Sequence, residues 1–270
     1  MRRRWLCLSL FFCAPLWADS PPPPQIKSLT PISIIIDDLG YRYQTSRRTV
    51  QSPHPLTCSF LPHTPFARQL AKQAWLLNKD IMVHLPMEAI SGKTLGPGGL
   101  YQGMDREAFE KTVMENLQAI PHAMGFNNHM GSLLTSNHRA MDWLMQQIAK
   151  RHNLFFVDSR TTHNSQALMH ANLNGVLNTG RDIFLDHVID RAAIKKQFQR
   201  LIWIAQRHGS ALAIGHPHPE TLDVLEAELP QLAEKGVKLV PISQLIQYRS
   251  ERRLAWQQTS LSPLPRAAKN

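Results

Sequence analysis

Cysteine is scarce in this sequence, with 3 among 270 residues. Cys7 and Cys13 lie in an apolar N-terminal stretch, so Cys58 is the only cysteine that follows it. A single thiol cannot form an intramolecular disulfide, which excludes a scaffold stapled by disulfides. The composition, 43% hydrophobic and 19% charged, also excludes a largely disordered chain and is sufficient for a buried core.

Several common catalytic motifs are absent as well. The sequence has no G-x-S-x-G, H-E-x-x-H or C-x-x-C segment and no P-loop, which excludes the most familiar hydrolase, nucleotide and dithiol sites. Cys58 lies within an apolar run, where we expect a packed thiol rather than a nucleophile.

Acidic residues are fewer than basic ones, 20 Asp and Glu against 30 Lys and Arg. The basic residues are scattered in pairs such as Arg47-Arg48 and Lys195-Lys196, with no aromatic-interleaved stripe or helix-turn-helix pattern. We interpret them as solvated surface residues and expect no nucleic-acid partner.

Long apolar runs are confined to the N-terminus. Arg2–Arg4 precede the apolar stretch Trp5–Leu16, and Ala18 is a plausible cleavage residue, so residues 1–18 are typical of a secretory signal peptide. An uncleaved membrane anchor is the alternative. We expect Sec-dependent export to the periplasm, a net charge that falls from +10 to +7 on cleavage, and no stable membrane insertion of the mature chain.

Proline and apolar periodicity divide the remaining chain. Residues 19–30 form a Pro-rich linker containing Pro21–Pro24. Residues 31–248 form one domain, and residues 249–270 are expected to be a loosely ordered tail in which Leu254 and Trp256 could dock.

Short apolar runs alternate with longer helical patterns between these ends. This alternation predicts an α/β fold with a parallel sheet covered by helices. Its length favours a distorted (β/α) barrel of about seven strands, with an open doubly wound sheet as the alternative. The expected strands are Ile32–Ile36, Thr57–Leu61, Asp80–Leu85, Gly125–Asn127, Leu154–Asp158, Ile183–Leu185, Ala211–Ile214 and Val237–Pro241, and the expected helices are Pro65–Leu77, Asp105–Ile120, Asn137–His152, Asp190–Arg207 and Pro219–Lys235.

Polar, ligand-capable residues directly follow six of the apolar runs. Because the carboxyl ends of parallel strands converge on one face, these residues are expected to share a site there. Individually they have simpler explanations, since Asp37-Asp38 could start a turn and Asp186-His187 could cap a helix. The six sets are Asp37-Asp38, His84, Asn127-Asn128-His129, Asp158-Ser159-Arg160, Asp186-His187 and His216-Pro217-His218.

Imidazole and carboxylate groups without thiolates indicate a divalent metal site, most simply zinc. Three protein ligands with one position left for water are typical of a catalytic zinc site. A carboxylate that accepts a proton and a histidine that donates one would complete an amide or ester hydrolase.

At these residues the sequence resembles the divergent polysaccharide deacetylases, which are distant relatives of the NodB-type carbohydrate esterases. The resemblance covers about residues 32–245, and it implies a distorted (β/α) barrel and metal-assisted removal of N- or O-acetyl groups from a glycan. It is carried by the segments Ile34–Gly40, His84–Glu88, Asn127–Ser132, Phe156–Thr161 and Ile214–Pro219.

The resemblance also implies roles for single residues. Asp37 corresponds to the general base, Asp38 to a metal ligand and His216 to the acid. Asp158 corresponds to a residue that tunes or orients these groups. The relatives supply two more ligands as histidines four residues apart, but that spacing here gives His84 and Glu88.

These residues therefore leave the identity of the third metal ligand undecided. We expect His129 from the neighbouring strand end to supply it, with direct ligation by Glu88 as the alternative. The Asn127–Ser132 segment stands where the relatives have an arginine-proline-tyrosine segment.

Two functions fit these residues best, and another hydrolytic reaction, such as amide cleavage in a peptide stem, is a third alternative. The first is an exported, metal-dependent deacetylase that acts on peptidoglycan or another acetylated polysaccharide. The second is a catalytically silent module that binds a glycan or organises the cell envelope on the same fold. In either case the expected substrate-binding residues are Asn127, Asn128, Ser132, Arg160 and His218.

Overall fold

The computed structural model describes residues 29–151 and 153–261 of the chain. The predicted signal peptide and residues 19–28 of the predicted linker lie outside these residues. In the part that is described, no helix has the length and apolar character needed to cross a membrane.

Nine parallel strands form one curled sheet in the described residues. They are β1 (Thr30–Leu39), β2 (Thr57–Phe60), β3 (Ile81–Met87), β4 (Gly125–Met130), β5 (Phe155–Asp158), β6 (Leu177–Gly180), β7 (Ile183–Phe184), β8 (Ala211–Gly215) and β9 (Val237–Leu239). Eight of them follow the order β6-β5-β4-β3-β2-β1-β8-β7, and β9 pairs with the start of β1.

The two ends of this sheet are linked by only two residues, Arg181 and Asp182. The backbone amide of Arg181 donates to the carbonyl of Asp158 on β5 at 3.0 Å. The amide of Asp182 donates to the carbonyl of Leu212 on β8 at 2.9 Å. One segment therefore bridges both ends of the sheet, which confirms the predicted distorted (β/α) barrel in a single domain.

Within residues 29–151 and 153–261, eight α-helices pack around the sheet or close its end. They are α1 (Tyr43–Val50), α2 (Ala67–Leu76), α3 (Arg106–Ala119), α4 (His138–Ala149), α5 (Ala167–Leu173), α6 (Arg191–His208), α7 (Pro219–Glu228) and α8 (Ile242–Leu261). The side chains of Asp105, Asn137 and Asp190 each accept a hydrogen bond from the amide three residues on and so cap α3, α4 and α6.

The sequence did not predict α1, α5 or β6. Helix α1 has no capping side chain, and its sequence Tyr-Gln-Thr-Ser-Arg-Arg-Thr-Val is poor in strong helix formers. Its residues Ser46, Thr49 and Val50 are buried, and it packs against α2 and α7, so tertiary packing rather than local propensity stabilises the helix.

Residues 249–261 are helical, so the prediction of a loosely ordered tail at 249–270 is wrong for these residues. Helix α8 continues to Leu261, because no glycine or proline interrupts the chain from Ile242 to that point. Arg249 is tied to the barrel by an ion pair with Asp182 at 2.6 Å. Leu254 and Trp256 are 55% and 73% exposed, so neither side chain is buried.

Alternate residues along the strands enter two separate apolar clusters. Ile34 and Phe156 pack in the larger cluster beneath the outer helices. Ile35 and Val157 pack in a smaller inner cluster with Leu245, near the start of α8. Cys58 belongs to the larger cluster, where burial raises the pKa of its thiol to about 12, so it is a packed thiol as expected.

Candidate active site

The inner face of the sheet changes from apolar to polar at the carboxyl ends of the strands. Because side chains alternate across a strand, Asp37 follows Ile35 on the inner face, and His84 follows Met82 in the same way. One polar layer therefore sits on the inner apolar cluster. Its members by this alternation are Asp37, Ser59, His84, Asn127, His129, Ser159, Asp186 and His216.

Asp38 joins this layer although strand alternation would direct it outward. The pairing between β1 and β2 shifts register between Ile36 and Leu39, which is a bulge. Asp38 itself has φ of 56°, in the left-handed region that few residues other than glycine adopt. The bulge re-aims its carboxylate towards two imidazoles, and such distortions are concentrated at functional sites.

Asp38, His84 and His129 form a compact group of three possible metal ligands. The Oδ1 atom of Asp38 lies 3.0 Å from Nδ1 of His129 and 3.2 Å from Nε2 of His84. The two imidazole nitrogens are 3.1 Å apart. Donor atoms in tetrahedral coordination at about 2.0–2.1 Å from zinc would be separated by about 3.3 Å, so the spacing fits.

Hydrogen bonding within the group also fits a metal. Asp38 Oδ1 is buried and accepts no hydrogen bond from the described residues. A buried carboxylate oxygen left in this way is costly unless another positive group completes its environment. Burial by itself would raise the pKa of Asp38, but His129 and His84 hold it well below its usual range, so it is ionised and able to bind a cation.

Asn127 holds two members of the site in place. Its Oδ1 accepts from the hydroxyl of Ser59 at 2.6 Å and lies 3.1 Å from Nδ1 of His84. Its Nδ2 donates to both carboxylate oxygens of Asp37, at 2.8 and 3.0 Å. A proton on Nδ1 of His84 leaves Nε2 free for a metal, which is the role of an outer hydrogen-bond partner.

Asn127 was predicted to bind substrate, but the structure does not place it among the residues that line the cleft. Its side chain is fully buried beneath the ligand group, so it positions Asp37 and His84 and cannot reach a substrate. Asn128 is also buried, and its Oδ1 accepts from the amide of Ser159 at 2.8 Å, which ties β4 to β5.

We predict that Asn127→Leu will lower both stability and metal affinity. It leaves Asp37 and Ser59 buried without their partner, which should reduce the free energy of unfolding by about 2–4 kcal/mol. Loss of the His84 contact should weaken zinc binding about 10–100-fold. Urea unfolding and zinc titration measure the two effects, with the exposed Asn153→Ala as control. Unchanged zinc affinity in folded N127L would contradict the orienting role.

Asp37 lies beneath the ligand group rather than in the open cleft. Its side chain is 2% exposed, and its Oδ2 lies 3.7 Å from Nδ1 of His84. Burial raises the pKa of this carboxyl above its ordinary value, although the nearby His84 and His216 act in the opposite direction. A carboxyl with a raised pKa is suited to accept a proton near neutral pH.

His216 forms a charged dyad with Asp186. Nδ1 of His216 lies 3.0 Å from Oδ1 of Asp186, and the amide of His216 donates to Oδ2 of Asp186 at 2.6 Å. The hydroxyl of Thr221 donates to the same oxygen at 2.8 Å. Burial alone would lower the pKa of His216, but the Asp186 contact raises it to about 9. His216 therefore carries a proton at neutral pH.

The ligand group and His216 open into one cleft of about 370 Å³. Nε2 of His216 lies 3.8 Å from Oδ2 of Asp38, so the protonated imidazole faces the same space as the metal ligands. His218 also lines this cleft, and its role in substrate binding stays a prediction. The lining residues are Asp38, Tyr41, Arg42, Leu61, Thr94, Gly96, His129, His216, Pro217 and His218.

The structure selects His129 over Glu88 as the third member of the ligand group. The carboxylate of Glu88 accepts a hydrogen bond from the amide of Gln102 at 2.8 Å, and Glu88 is absent from the group of candidate ligands. Glu88 therefore closes a loop after β3. Ser132 has a similar role, because its hydroxyl accepts from the amide of Ile90 at 3.0 Å.

The structure does not bring Asp158 into the group of Asp38, His84 and His129. Phe156 packs outward, so Asp158, two residues on, falls on the outer face of the strand. Its carboxylate accepts from the amide of Arg160 and from the hydroxyl of Ser165, each at 2.8 Å. Arg160 is exposed beside it, in a separate cavity. Asp186, rather than Asp158, contacts His216.

The sequence did not predict a role in the site for three residues whose side chains contact it, namely Ser59, Asp186 and Thr221. Asp186 appeared there among the strand-end residues but without a role at the site. Strand alternation was the available signal, since Ser59 follows Thr57 on the inner face and Phe184 packs inward two residues before Asp186. Thr221 lies on α7, and no sequence pattern connects it to Asp186.

Comparison with known proteins supports the resemblance seen in the sequence. The family profile described as divergent polysaccharide deacetylase matches residues 34–246. The uncharacterized protein YibQ of Escherichia coli K12 is 38% identical over 215 residues, covering 80% of this chain and 67% of its own length.

Two solved structures share the fold. An uncharacterized protein, ATU2773 from Agrobacterium tumefaciens C58, superposes with a TM-score of 0.78 at 21% identity, covering 85% of this chain and 91% of its own. The Bc1960 peptidoglycan N-acetylglucosamine deacetylase superposes with a TM-score of 0.50 at 11% identity, covering 82% of this chain and 90% of its own.

Proposed function

The chain belongs to the divergent polysaccharide deacetylase family, and we propose that it is a metal-dependent enzyme that removes acetyl groups from a glycan of the cell envelope. The observation that carries the proposal is the group of Asp38, His84 and His129, whose donor atoms lie 3.0–3.2 Å apart around an oxygen without a hydrogen bond.

These three side chains would hold the cation, and zinc suits their two nitrogens and one carboxylate oxygen. Bound there, it would polarise the acetyl carbonyl oxygen and lower the pKa of a water molecule. Asn127 fixes the ring of His84 for this role, and the bulge at Asp38 supplies the carboxylate.

Asp37 and His216 would move the protons. Asp37 accepts the proton of the attacking water, and its burial keeps the pKa of the carboxyl raised for this task. His216 donates its Nε2 proton to the departing nitrogen or oxygen of the sugar, while Asp186 stabilises the imidazolium. Tyr41, Leu61 and Pro217 give the cleft an apolar wall for the acetyl group and sugar ring.

One observation favours the silent glycan-binding alternative. Asp37 is nearly inaccessible, and both of its carboxylate oxygens already accept hydrogen bonds from Asn127. A base in this position needs water to approach through the ligand group. If it cannot, the cleft would bind an acetylated glycan without cleaving it.

Acetate release decides between the two functions. Wild-type protein loaded with zinc should release acetate from peptidoglycan fragments or chitooligosaccharides, and Asp37→Asn should lower the rate by about 10²–10⁴-fold, the usual contribution of a general base. The exposed variant Glu234→Gln is the matched control. Glycan binding without acetate release by the wild type would establish the silent alternative instead.

We also propose that residues 1–18 export the chain to the periplasm, where envelope glycans are found. Support comes from the basic and apolar N-terminal pattern and from Cys58 being the only cysteine that would remain. Fractionation of cells that express the full chain tests this, and a cytoplasmic product of full length would contradict it.

A further inference from the structure

A second polar cavity opens at the same face of the sheet, beside the cleft. It has a volume of about 490 Å³ and is built from residues that follow β5 and from the link between β6 and β7. Because the cleft is lined by residues that follow β1, β2, β3, β4 and β8, the cavity occupies the remaining part of the barrel mouth. Its lining residues are Asp158, Arg160, Thr162, His163, Ser165, Leu168, Arg181 and Asp182.

The cavity contains two arginines that form no direct ion pair with an acid of the described residues. Nε of Arg181 donates to the carbonyl of Ser159 at 2.7 Å, and Nη2 donates to that of Arg160 at 3.1 Å. Nη1 of Arg160 donates to the carbonyl of Arg181 at 3.2 Å. Within the described residues no carboxylate oxygen lies within 4.0 Å of either guanidinium, so both are held by neutral carbonyls.

The two acids of the cavity are occupied by other donors. Asp158 accepts from the amide of Arg160 and from Ser165. Asp182 accepts from the amide of Leu212 at 2.8 Å and pairs with Arg249 at 2.6 Å. These carboxylates therefore hold the backbone around the cavity, while the guanidiniums remain able to bind an external anion.

The cavity is also close to the reacting end of the cleft. The guanidinium carbon of Arg181 lies 4.9 Å from the centre of the Phe184 ring, and that ring is 5.2 Å from the ring of His216. A single aromatic ring thus separates the arginine pair from the proposed acid. An oligosaccharide lying across the barrel mouth would place a sugar neighbouring the reacting one over the arginines.

We propose that Arg160 and Arg181 form a subsite for the carboxylate of an acidic sugar adjacent to the sugar that is deacetylated. The planar fork of a guanidinium matches the two oxygens of a carboxylate, and backbone carbonyls fix both forks before the ligand arrives. This inference rests on the proposed function, and it narrows the substrate class to acetylated glycans that carry carboxylates.

Binding measurements with matched glycans test the subsite without depending on turnover. The first probe is a tetrasaccharide of alternating N-acetylglucosamine and N-acetylmuramic acid, with free lactyl carboxylates. The second is the same glycan with each carboxylate converted to its amide, and the third is a chitotetraose that carries a 6-phosphate. Titration calorimetry of the Asp37→Asn variant at low salt gives the three dissociation constants.

We expect the carboxylate glycan to bind about tenfold more tightly than its amide, and Arg160→Gln in the same background to abolish that difference. Arg207→Gln, which removes an exposed arginine elsewhere, should preserve it. Equal affinity for acid and amide would overturn the subsite while leaving the proposed function intact. Tighter binding of the phosphate glycan would overturn the carboxylate assignment. Binding of no glycan would reject the subsite and the glycan substrate together.

Discussion

Replacing Asp38 with asparagine is expected to abolish stoichiometric zinc binding and to reduce acetate release at least about a thousandfold. The metal contributes several kcal/mol to the proposed reaction, and about 4 kcal/mol corresponds to a factor of a thousand in rate. The asparagine retains the size of the side chain but removes the charge that faces His84 and His129. Metal analysis of purified protein and kcat/KM for acetate release measure the two effects.

The variant should remain folded, because asparagine keeps the size of a side chain that is 35% exposed. Unfolding in urea checks this, and the exposed Glu234→Gln is the control for the loss of one negative charge. If D38N binds zinc as tightly as the wild type, the ion lies elsewhere and Asp38 is not a ligand.

The second large effect concerns the pH dependence of the reaction. Only protonated His216 can act as the acid, so the rate should fall as pH rises through the pKa of this residue. Asp186 raises that pKa to about 9 in the wild type. In Asp186→Asn the pKa should return towards the ordinary value of about 6.5, which moves the alkaline limb of the profile to lower pH.

The size of the effect follows from the protonated fraction. At about pH 8 that fraction falls from about nine-tenths to about one-thirtieth, so D186N should lose about 30-fold in rate there but less than about twofold near pH 6. Thr221→Val is the matched control, because it removes a neighbour of Asp186 and preserves the Asp186–His216 contact. An alkaline limb at the same pH in wild type and D186N would exclude His216 as the acid that Asp186 tunes.

Much of the fold was predictable because apolar runs and helix caps are local signals. The five expected helices are present, and Asp105 and Asp190 cap α3 and α6 from the positions at which those helices were expected to begin. Helix α1 was not predictable in this way, since it is held by the burial of Val50 and Thr49 rather than by its own residues.

The candidate site was also predictable where it depends on local sequence patterns and not where it depends on strand pairing. Residues on the inner face at the strand ends could be identified, and His84, His129 and His216 do converge. Strand alternation, applied one step further, would have excluded Asp158 because Phe156 points outward. The bulge that brings Asp38 inward depends on pairing between β1 and β2, and no local pattern indicates it.

A zinc titration of the metal-free protein, followed by X-ray absorption at the zinc edge, shows whether the chain binds the cation and through which atoms. If Asp38, His84 and His129 hold the cation, one zinc per chain will bind, with two nitrogens and a carboxylate oxygen at about 2.0–2.2 Å. His84→Ala and His129→Ala will each remove one nitrogen from that shell. A protein that binds no zinc, or whose zinc shell is the same in both variants, would contradict the account.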